Sequence, residues 1–226
     1  MNSSLGVVIP AFNEEEGIAP TIREVKQAIN DARIIVIDGH SKDKTLEIAK
    51  DLGAEVIVQN GRGKGDAVFQ GLANLNKETV YVAFTDADYT YPATYLKEMI
   101  ELLDLNANIG MVLGDRFSRS TNFESVKNRF YVGNRIIASI QGILNGVNLN
   151  DPLTGLRVIR FDLLKDWKPK SMGFDIEVEL NCYIKRMGYK IVEIPIKYRA
   201  RLGKKKLGFR HGLGIFRRII SDFATD

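Results

Sequence analysis

A chain of 226 residues with 45% hydrophobic and 27% charged residues can bury a sizeable core, so we expect one globular unit and exclude a disordered protein. Cys182 is the single cysteine, which excludes an internal disulfide. No apolar run of about 18 residues occurs, and the N-terminus lacks the basic flank of a signal peptide, so we expect a cytoplasmic protein.

The net charge of +4 is concentrated at one end of the chain. Residues 195–226 contain nine lysines and arginines and two acids, which gives +7 there and −3 for the remainder. A basic end on a nearly neutral body favours an anionic surface or a phosphate group as its partner. Amid the lysines of this segment only Tyr198 and Phe209 offer stacking rings, so we expect no nucleic-acid binding.

Apolar runs alternate with helical spacing in the first half of the chain. The runs that predict strands are residues 5–9, 34–37, 54–58, 80–84 and 111–113. Between them, apolar residues recur every three or four positions at 18–29 and at 67–75, which predicts helices. Strands apolar enough to be covered on both faces predict an α/β fold with a mainly parallel sheet.

The second half is predicted to contain more helix. Residues 126–148 and 173–188 have the spacing of two helices, the second ended by Gly188, and residues 189–200 predict a strand. Residues 207–223 predict an amphipathic helix able to lie in a membrane interface. The apolar face of the helix around residues 130–147 fits either the core or a lipid surface.

Two carboxylates, Asp86 and Asp88, follow the predicted strand 80–84 with one small residue between them. Ligand sites of open parallel sheets lie at the carboxyl ends of the strands. Two carboxylates in a loop can reach one hard cation, and Mg²⁺ or Mn²⁺ suits such oxygen ligands. The pair therefore predicts a Mg²⁺ or Mn²⁺ site, although aspartates are also frequent in ordinary turns.

A glycine-rich stretch, GRGKGDA at residues 61–67, precedes the second predicted helix. Its backbone amides and Lys64 could hold an anion. The spacing matches neither the P-loop nor the dinucleotide fingerprint. The alternative is a flexible turn with a solvated lysine.

Taken in order, these stretches resemble the signatures of inverting family 2 glycosyltransferases, which have the GT-A fold. The first four are VVIPAFNEEEGI, IIVIDGHSKDKT, GRGKGDAVFQG and FTDADYTYP. The later stretches are GDRF, DPLTGLRVIR, GFDIEVEL, GYKIVEIPI and RLGKKKLG, and they are similar to the polyprenyl-phosphate sugar synthases, which include the dolichyl-phosphate mannose and glucose synthases. The resemblance covers about residues 5–218.

The resemblance implies a position for each substrate. The donor, GDP-mannose or UDP-glucose, would contact Pro10, Ala11, Asn13, Glu14, Asp38, Gly63, Lys64, Asp86, Ala87 and Asp88. Asp86 and Asp88 would position the metal and, with Arg116, act in catalysis. The acceptor, a dolichyl or polyprenyl phosphate, would contact Arg116, Arg129, Arg201, Lys205 and Lys206, because arginine pairs well with phosphate oxygens.

The resemblance also implies a mechanism and a location. A phosphate acceptor is already an anion, so it can attack the anomeric carbon directly, with inversion and without a strong general base. The enzyme would lie at the cytoplasmic membrane face, held by its C-terminal helix or by a separate membrane partner. A single domain, 1–226, would comprise a donor half (1–115), an acceptor half (116–200) and a basic, amphipathic end (201–226).

Three positions depart from the pattern of these synthases. Asp38 is followed by Gly39 where a second aspartate is usual, Thr90 stands where a glutamine often binds the metal, and Lys205 replaces a serine. The main alternative is a family 2 enzyme that glycosylates a sugar hydroxyl. That reaction requires a carboxylate base, for which Asp175 and Glu177 are the candidates.

Overall fold

The computed structural model describes residues 4–118, 129–204 and 209–224. Strands and helices alternate along the first half, as the periodicity predicts. The elements are β1 (Leu5–Ala11), α1 (Ile18–Ala28), β2 (Arg33–Asp38), α2 (Thr45–Asp51), β3 (Glu55–Val58), α3 (Lys64–Ala73), β4 (Tyr81–Phe84), α4 (Leu96–Leu105), β5 (Ile109–Asp115), α5 (Arg129–Asn145), β6 (Arg157–Arg160), α6 (Ile176–Arg186), β7 (Lys190–Pro195) and α7 (Phe209–Phe223).

The described strands form one sheet of seven, in the order β3-β2-β1-β4-β6-β5-β7. All neighbouring pairs are parallel except those of β6, which runs antiparallel to both β4 and β5. The predicted mainly parallel α/β sheet is therefore confirmed. β6 and β7 share the sheet with the earlier strands. The division into a donor half, an acceptor half and a basic end, with boundaries at residues 115 and 200, remains a prediction.

Helices cover both faces of the sheet, and successive side chains of each strand point to opposite faces. On β1, Val7 and Ile9 pack in the core that includes α1 and α4, whereas Val8 packs in the core that includes α3 and α6. This explains the nearly unbroken apolar runs of the central strands.

The C-terminal helix packs back onto the domain. Ile215 and Ile219 of α7 are buried with Val178 of α6, and Ile137 and Ile140 of α5 lie against them. In the described part of the chain, no helix has the length and apolar character required to cross a bilayer.

The structure contains the helices predicted for the second half and adds one strand there, β6, that was not predicted. Gly188 ends the turn after α6 with φ +80°, in the left-handed region that favours glycine. β6 and the helices α2 and α4 were not predicted. β6 has only four residues, RVIR, and its terminal arginines hide its strand character.

Candidate active site

The carboxyl ends of β1, β2 and β4 meet at one edge of the sheet. Ala11 pairs with Asp38, and Val8 pairs with Phe84, two residues before Asp86. The predicted donor-site residues on these strands and the loops after them therefore lie along one edge. This is where open α/β sheets place their ligands.

Asp38 ends β2 and is buried. Its Oδ2 accepts a hydrogen bond of 3.0 Å from the Ser41 amide, whereas its Oδ1 has no hydrogen-bond partner among the described residues. Asn13 holds the facing loop, because its Oδ1 accepts from the Lys42 amide at 2.7 Å and its own amide donates to Ser41 Oγ at 2.8 Å. A buried acceptor without a partner costs free energy, so Asp38 is suited to a donor group of a ligand.

A tight turn presents Asp86 and Asp88 after β4. Tyr89 has φ +64°, an uncommon backbone conformation for a residue other than glycine. Thr90 donates its hydroxyl to Asp88 Oδ1 at 2.6 Å and its amide to the same oxygen at 3.2 Å. Thr90, one of the three positions that depart from the pattern of the resemblance, thus orients Asp88.

Lys64 joins two carboxylates beneath this turn. Its Nζ lies 2.7 Å from Asp86 Oδ1 and 2.7 Å from Glu177 Oε1. Burial opposes the charge on Lys64, but Asp86 and Glu177 raise its pKa well above the ordinary value. Burial likewise opposes the charge on Asp86, yet Lys64, with Arg116 and Arg201, lowers its pKa. Lys64 is therefore ionised and largely shielded from solvent, with 13% of its side chain exposed, and the alternative of a solvated lysine is wrong.

The glycine-rich loop is fixed by close packing. Gly63 has φ +90°, and a Cβ on it would lie 2.1 Å from the Met172 carbonyl oxygen. A Cβ on Gly65 would lie 2.1 Å from the Ser171 carbonyl oxygen, and the Gly65 amide donates to the Met172 carbonyl at 3.0 Å. The glycines therefore bring Lys64 against the segment that precedes α6.

Arg201 covers the other carboxylate. Its NH1 lies 2.6 Å from Asp88 Oδ2, and its NH2 pairs with Glu14. The backbone reinforces this contact, because the Leu202 amide donates to the Asp88 carbonyl at 3.1 Å. Burial and the charge of Asp86 raise the pKa of Asp88 in spite of Arg201 and the Thr90 hydrogen bonds.

Arg116 follows β5 and forms a two-pronged ion pair with Asp151. Its Nε lies 2.6 Å from Asp151 Oδ2 and its NH2 lies 2.7 Å from Oδ1, while the Asp151 side chain is fully buried. The guanidinium lies 5.4 Å from the centre of the Tyr198 ring. Of the other predicted acceptor residues, Arg129 begins α5, and Lys205 and Lys206 lie outside the described residues.

The carboxylate pair is compatible with a divalent cation. Burial and, after it, the charge of Asp86 raise the pKa of Asp88, and a bound cation would favour the ionised carboxylate against both effects. Gly155 leaves room at the site, because a Cβ there would lie 2.7 Å from Asp86 Oδ2. In residues 4–118, 129–204 and 209–224, no group of three acidic, histidine or cysteine side chains is arranged to hold a metal. The two aspartates would therefore need water or substrate oxygens as further ligands, and Arg201 would have to leave Asp88 Oδ2.

Comparison with known proteins identifies the family. A family model described as Glycosyl transferase family 2 matches residues 6–168, well over half of the chain. The chain belongs to glycosyltransferase family 2. This family 2 glycosyltransferase is 35% identical to the dolichyl-phosphate hexose transferase of Haloferax volcanii, over 96% of this chain and 92% of that protein. It is also 35% identical to the glycosyltransferase AglJ of the same organism, over 86% of this chain and 63% of that protein.

Solved structures show the fold of this glycosyltransferase. One is glucosyl-3-phosphoglycerate synthase from Mycobacterium tuberculosis, in complex with Mn²⁺, UDP-glucose and phosphoglyceric acid. It is 22% identical, with a TM-score of 0.77, and the match covers 97% of this chain and 79% of that one. The predicted GT-A fold is confirmed.

The sequence did not reveal which residues hold Lys64 and Arg116 in place in this glycosyltransferase. Glu177 was a candidate base, and the structure places it on Lys64. Asp151, the partner of Arg116, stands in the DPLTG stretch that supported the resemblance, but no role was predicted for it. Partners separated by 35 residues, as Arg116 and Asp151 are, leave no local spacing to detect.

Proposed function

We propose that this glycosyltransferase moves a hexose from a nucleotide sugar to a dolichyl or polyprenyl phosphate. The name of the Haloferax volcanii relative, similar over almost the full length of both chains, supports this acceptor. Mannose from GDP-mannose is the first choice of donor, and glucose from UDP-glucose is the alternative.

The observation that carries the proposal is the pairing of the carboxylates around the Asp86 turn. Asp86 and Glu177 share Lys64, and Asp88 lies 2.6 Å from Arg201. Lys64 lowers the pKa of Asp86, which makes Asp86 a poor base toward a neutral sugar hydroxyl, and Arg201 covers Asp88. A phosphate acceptor is already anionic and needs no base, so this charge arrangement favours it.

The other candidate base, Asp175, is also paired. Its Oδ2 lies 3.4 Å from Arg218 Nε, and it stands at the N-terminus of α6. The hydroxyl-acceptor alternative is therefore the less favoured of the two.

In the proposed reaction, an acceptor phosphate oxygen bonds to the anomeric carbon as the bond from that carbon to the diphosphate breaks. The configuration inverts, and the diphosphate leaves with the electron pair. Arg116 orients the acceptor phosphate, while Lys64 and Arg201 stabilise negative charge on the leaving group. A divalent cation bound by Asp86 and Asp88 would supply further stabilisation of that charge.

A transfer assay tests the proposal. GDP-mannose, UDP-glucose and UDP-N-acetylglucosamine are each supplied with Mn²⁺ or Mg²⁺ and with either a short polyprenyl phosphate or the matching free polyprenol. We expect transfer to the phosphate alone, and loss of transfer when divalent ions are chelated or both Asp86 and Asp88 are changed to alanine. Transfer to the polyprenol or to a sugar, abolished by Glu177→Gln with donor binding intact, would support the hydroxyl-acceptor enzyme instead.

We also propose that α5 and α7 contact the cytoplasmic membrane surface. Each helix has a stripe of exposed apolar side chains beside the buried seam between them. On α5 these are Val132, Ile136 and Ile143, and on α7 they are Leu213, Phe216, Ile220 and Phe223. Arg135 and Arg217 are exposed, whereas Asp222, the single acid in the two helix sequences, is buried. This pattern suits an anionic lipid surface.

Co-sedimentation with vesicles tests the membrane contact. We expect the chain to bind vesicles of anionic lipid without a partner protein, and Phe216→Ser with Ile220→Ser to weaken that binding at least fivefold. Leu105→Ser is the matched control, because Leu105 is an exposed apolar residue on α4. Equal binding by both variants would exclude α7 as the contact, whereas failure of the parent chain to bind the vesicles would leave a separate membrane partner as the explanation.

A further inference from the structure

Glu193 of β7 holds the loop that carries Asp151. Its Oε1 accepts the amide of Asp151 at 2.7 Å, and its Oε2 accepts the amide of Asn150 at 2.8 Å. One carboxylate thus satisfies two successive backbone donors from a residue more than 40 positions away in sequence. Asp151 is buried, so its amide requires such an acceptor, and the position of the loop depends on Glu193.

The same loop determines the position of Arg116. Asp151 is fully buried and binds the Nε and NH2 of Arg116 at 2.6 and 2.7 Å, and Asp151 Oδ2 also accepts the Arg116 amide at 3.1 Å. Two parallel bonds fix the plane of a guanidinium as well as its position. A continuous chain of contacts therefore runs from Glu193 through Asp151 to Arg116.

We propose that Glu193 is a positioning residue for acceptor binding, which fixes Arg116 through the two amides it holds and through Asp151. The inference rests on the proposed function, since it takes the acceptor phosphate to be the ligand of Arg116. Glu193 itself contacts backbone amides, so it acts only through its neighbours.

A carboxylate is an unfavourable choice here for stability alone. Burial, with the charges of Asp115 and Asp151, raises the pKa of Glu193 to about 7 even though the two amides lower it. A neutral glutamine would avoid that cost but would place one acceptor oxygen and one NH₂ donor where the two amides now meet two separate carboxylate oxygens. The ionised carboxylate is the group that holds both amides, which is what a positioning role requires.

The test compares Glu193→Gln with Arg116→Gln and with the double variant. A water-soluble polyprenyl phosphate is the acceptor, and Glu55→Gln on β3 is the matched control, because Glu55 is a strand carboxylate paired only with Arg33 in the described structure. For Glu193→Gln we expect the acceptor KM to rise about tenfold while the donor KM changes less than twofold. In the Arg116→Gln background, Glu193→Gln should have no further effect on the acceptor KM, since the two residues act in series.

Each outcome is informative. If Arg116→Gln leaves the acceptor KM unchanged, Arg116 does not bind the acceptor phosphate. That result would contradict this part of the proposed function and the role of Glu193 that depends on it. If Arg116→Gln raises the acceptor KM but Glu193→Gln does not, or if the two effects multiply, the positioning role is wrong and the proposed function stands. If Glu193→Gln does not fold, Glu193→Asp gives the same comparison, because its side chain keeps the charge but is one methylene too short to reach the two amides.

Discussion

Arg201 and Asp88 form an ion pair of 2.6 Å that covers the turn after β4. The same guanidinium pairs with Glu14, so one cation lies between carboxylates of two different loops. A divalent ion that binds Asp88 would therefore compete with Arg201 for the same carboxylate oxygen.

Arg201→Ala should bind Mn²⁺ more tightly than the parent chain in the absence of donor, by about three- to tenfold, because the competing cation is gone. Transfer should nevertheless be slower, since the leaving diphosphate loses a positive neighbour. Calorimetric titration with Mn²⁺ measures the first effect. Lys204→Ala, an exposed change in the same segment, is the control. Equal Mn²⁺ affinity in all three chains would show that Arg201 does not compete with the metal.

Lys64→Met should lower the free energy of unfolding by about 3–5 kcal/mol, because it leaves Asp86 and the buried Glu177 without their shared cation. Adding Glu177→Gln should restore part of the loss. Arg33→Met, which breaks a partly exposed pair with Glu55, should cost less than about 1 kcal/mol. Urea unfolding at neutral pH measures all of these. Similar losses for Lys64→Met and Arg33→Met would contradict the buried, charge-sharing role of Lys64.

Gly65→Ala and Gly214→Ala place the same methyl group in two helices with opposite expected results. At Gly65 the added carbon meets the Ser171 carbonyl oxygen at 2.1 Å, so the loop must shift, and donor affinity should fall at least tenfold. A Cβ on Gly214 would meet no described heavy atom within 4 Å apart from its chain neighbours and the backbone of its own helix, and alanine should stabilise α7 by about 0.5–1 kcal/mol. Nucleotide titration and thermal melting test the pair. Unchanged donor binding in Gly65→Ala would separate the glycine-rich loop from the donor site.

Ionisation of Glu193 should lower the free energy of unfolding as the pH rises from about 4.5 to about 7. Its ordinary pKa is 4.5 and burial raises it to about 7, so within this window the folded chain binds more protons than the unfolded chain. Relative to Glu193→Gln, the parent should lose about 2 kcal/mol of unfolding free energy between pH 4.5 and pH 8, with allowance for partial exposure. The nearby charges are Asp115, Asp151 and, beyond Asn150, Arg135.

Urea unfolding at several pH values checks this dependence. Glu55→Gln serves as the control of opposite sign, because the hydrogen bond from Arg33 lowers the pKa of Glu55 and its contribution is lost as the pH falls. Parallel stability curves for the parent and Glu193→Gln would show that Glu193 does not titrate in this range.

The place where Asp38, Asp86 and Asp88 lie in the sheet could be predicted from sequence, because these residues stand in short segments that follow strands. Asp38, Asp86 and Asp88 were identified in this way, and the β4 turn lies where the strand pattern places it. Helix ends with local signals, such as Gly188, were also predicted. These features depend on neighbours in sequence, which a single chain displays directly.

The acceptor side depends on contacts that sequence does not display. Arg157 is an example, because an arginine in a four-residue segment argues against a buried strand. The structure buries it by giving its guanidinium the Thr154 carbonyl at 2.6 Å and the Asn181 side chain at 3.1 Å. Partners that satisfy a buried charge come from distant segments, so composition and periodicity cannot reveal them.

The antiparallel direction of β6 has a consequence for how the enzyme brings its two substrates together. Arg157 pairs with both Phe84 of β4 and Leu113 of β5, so one strand is the spacer between the turn of Asp86 and the start of Arg116. Adjacent strands lie about 4.8 Å apart, which sets this span at roughly 10 Å. A strand in the opposite sense would send its preceding loop to the far end of the sheet. Reversed as it is, β6 brings the segment that contains Asp151 and Gly155 to the end of the sheet where Asp86 and Arg116 lie.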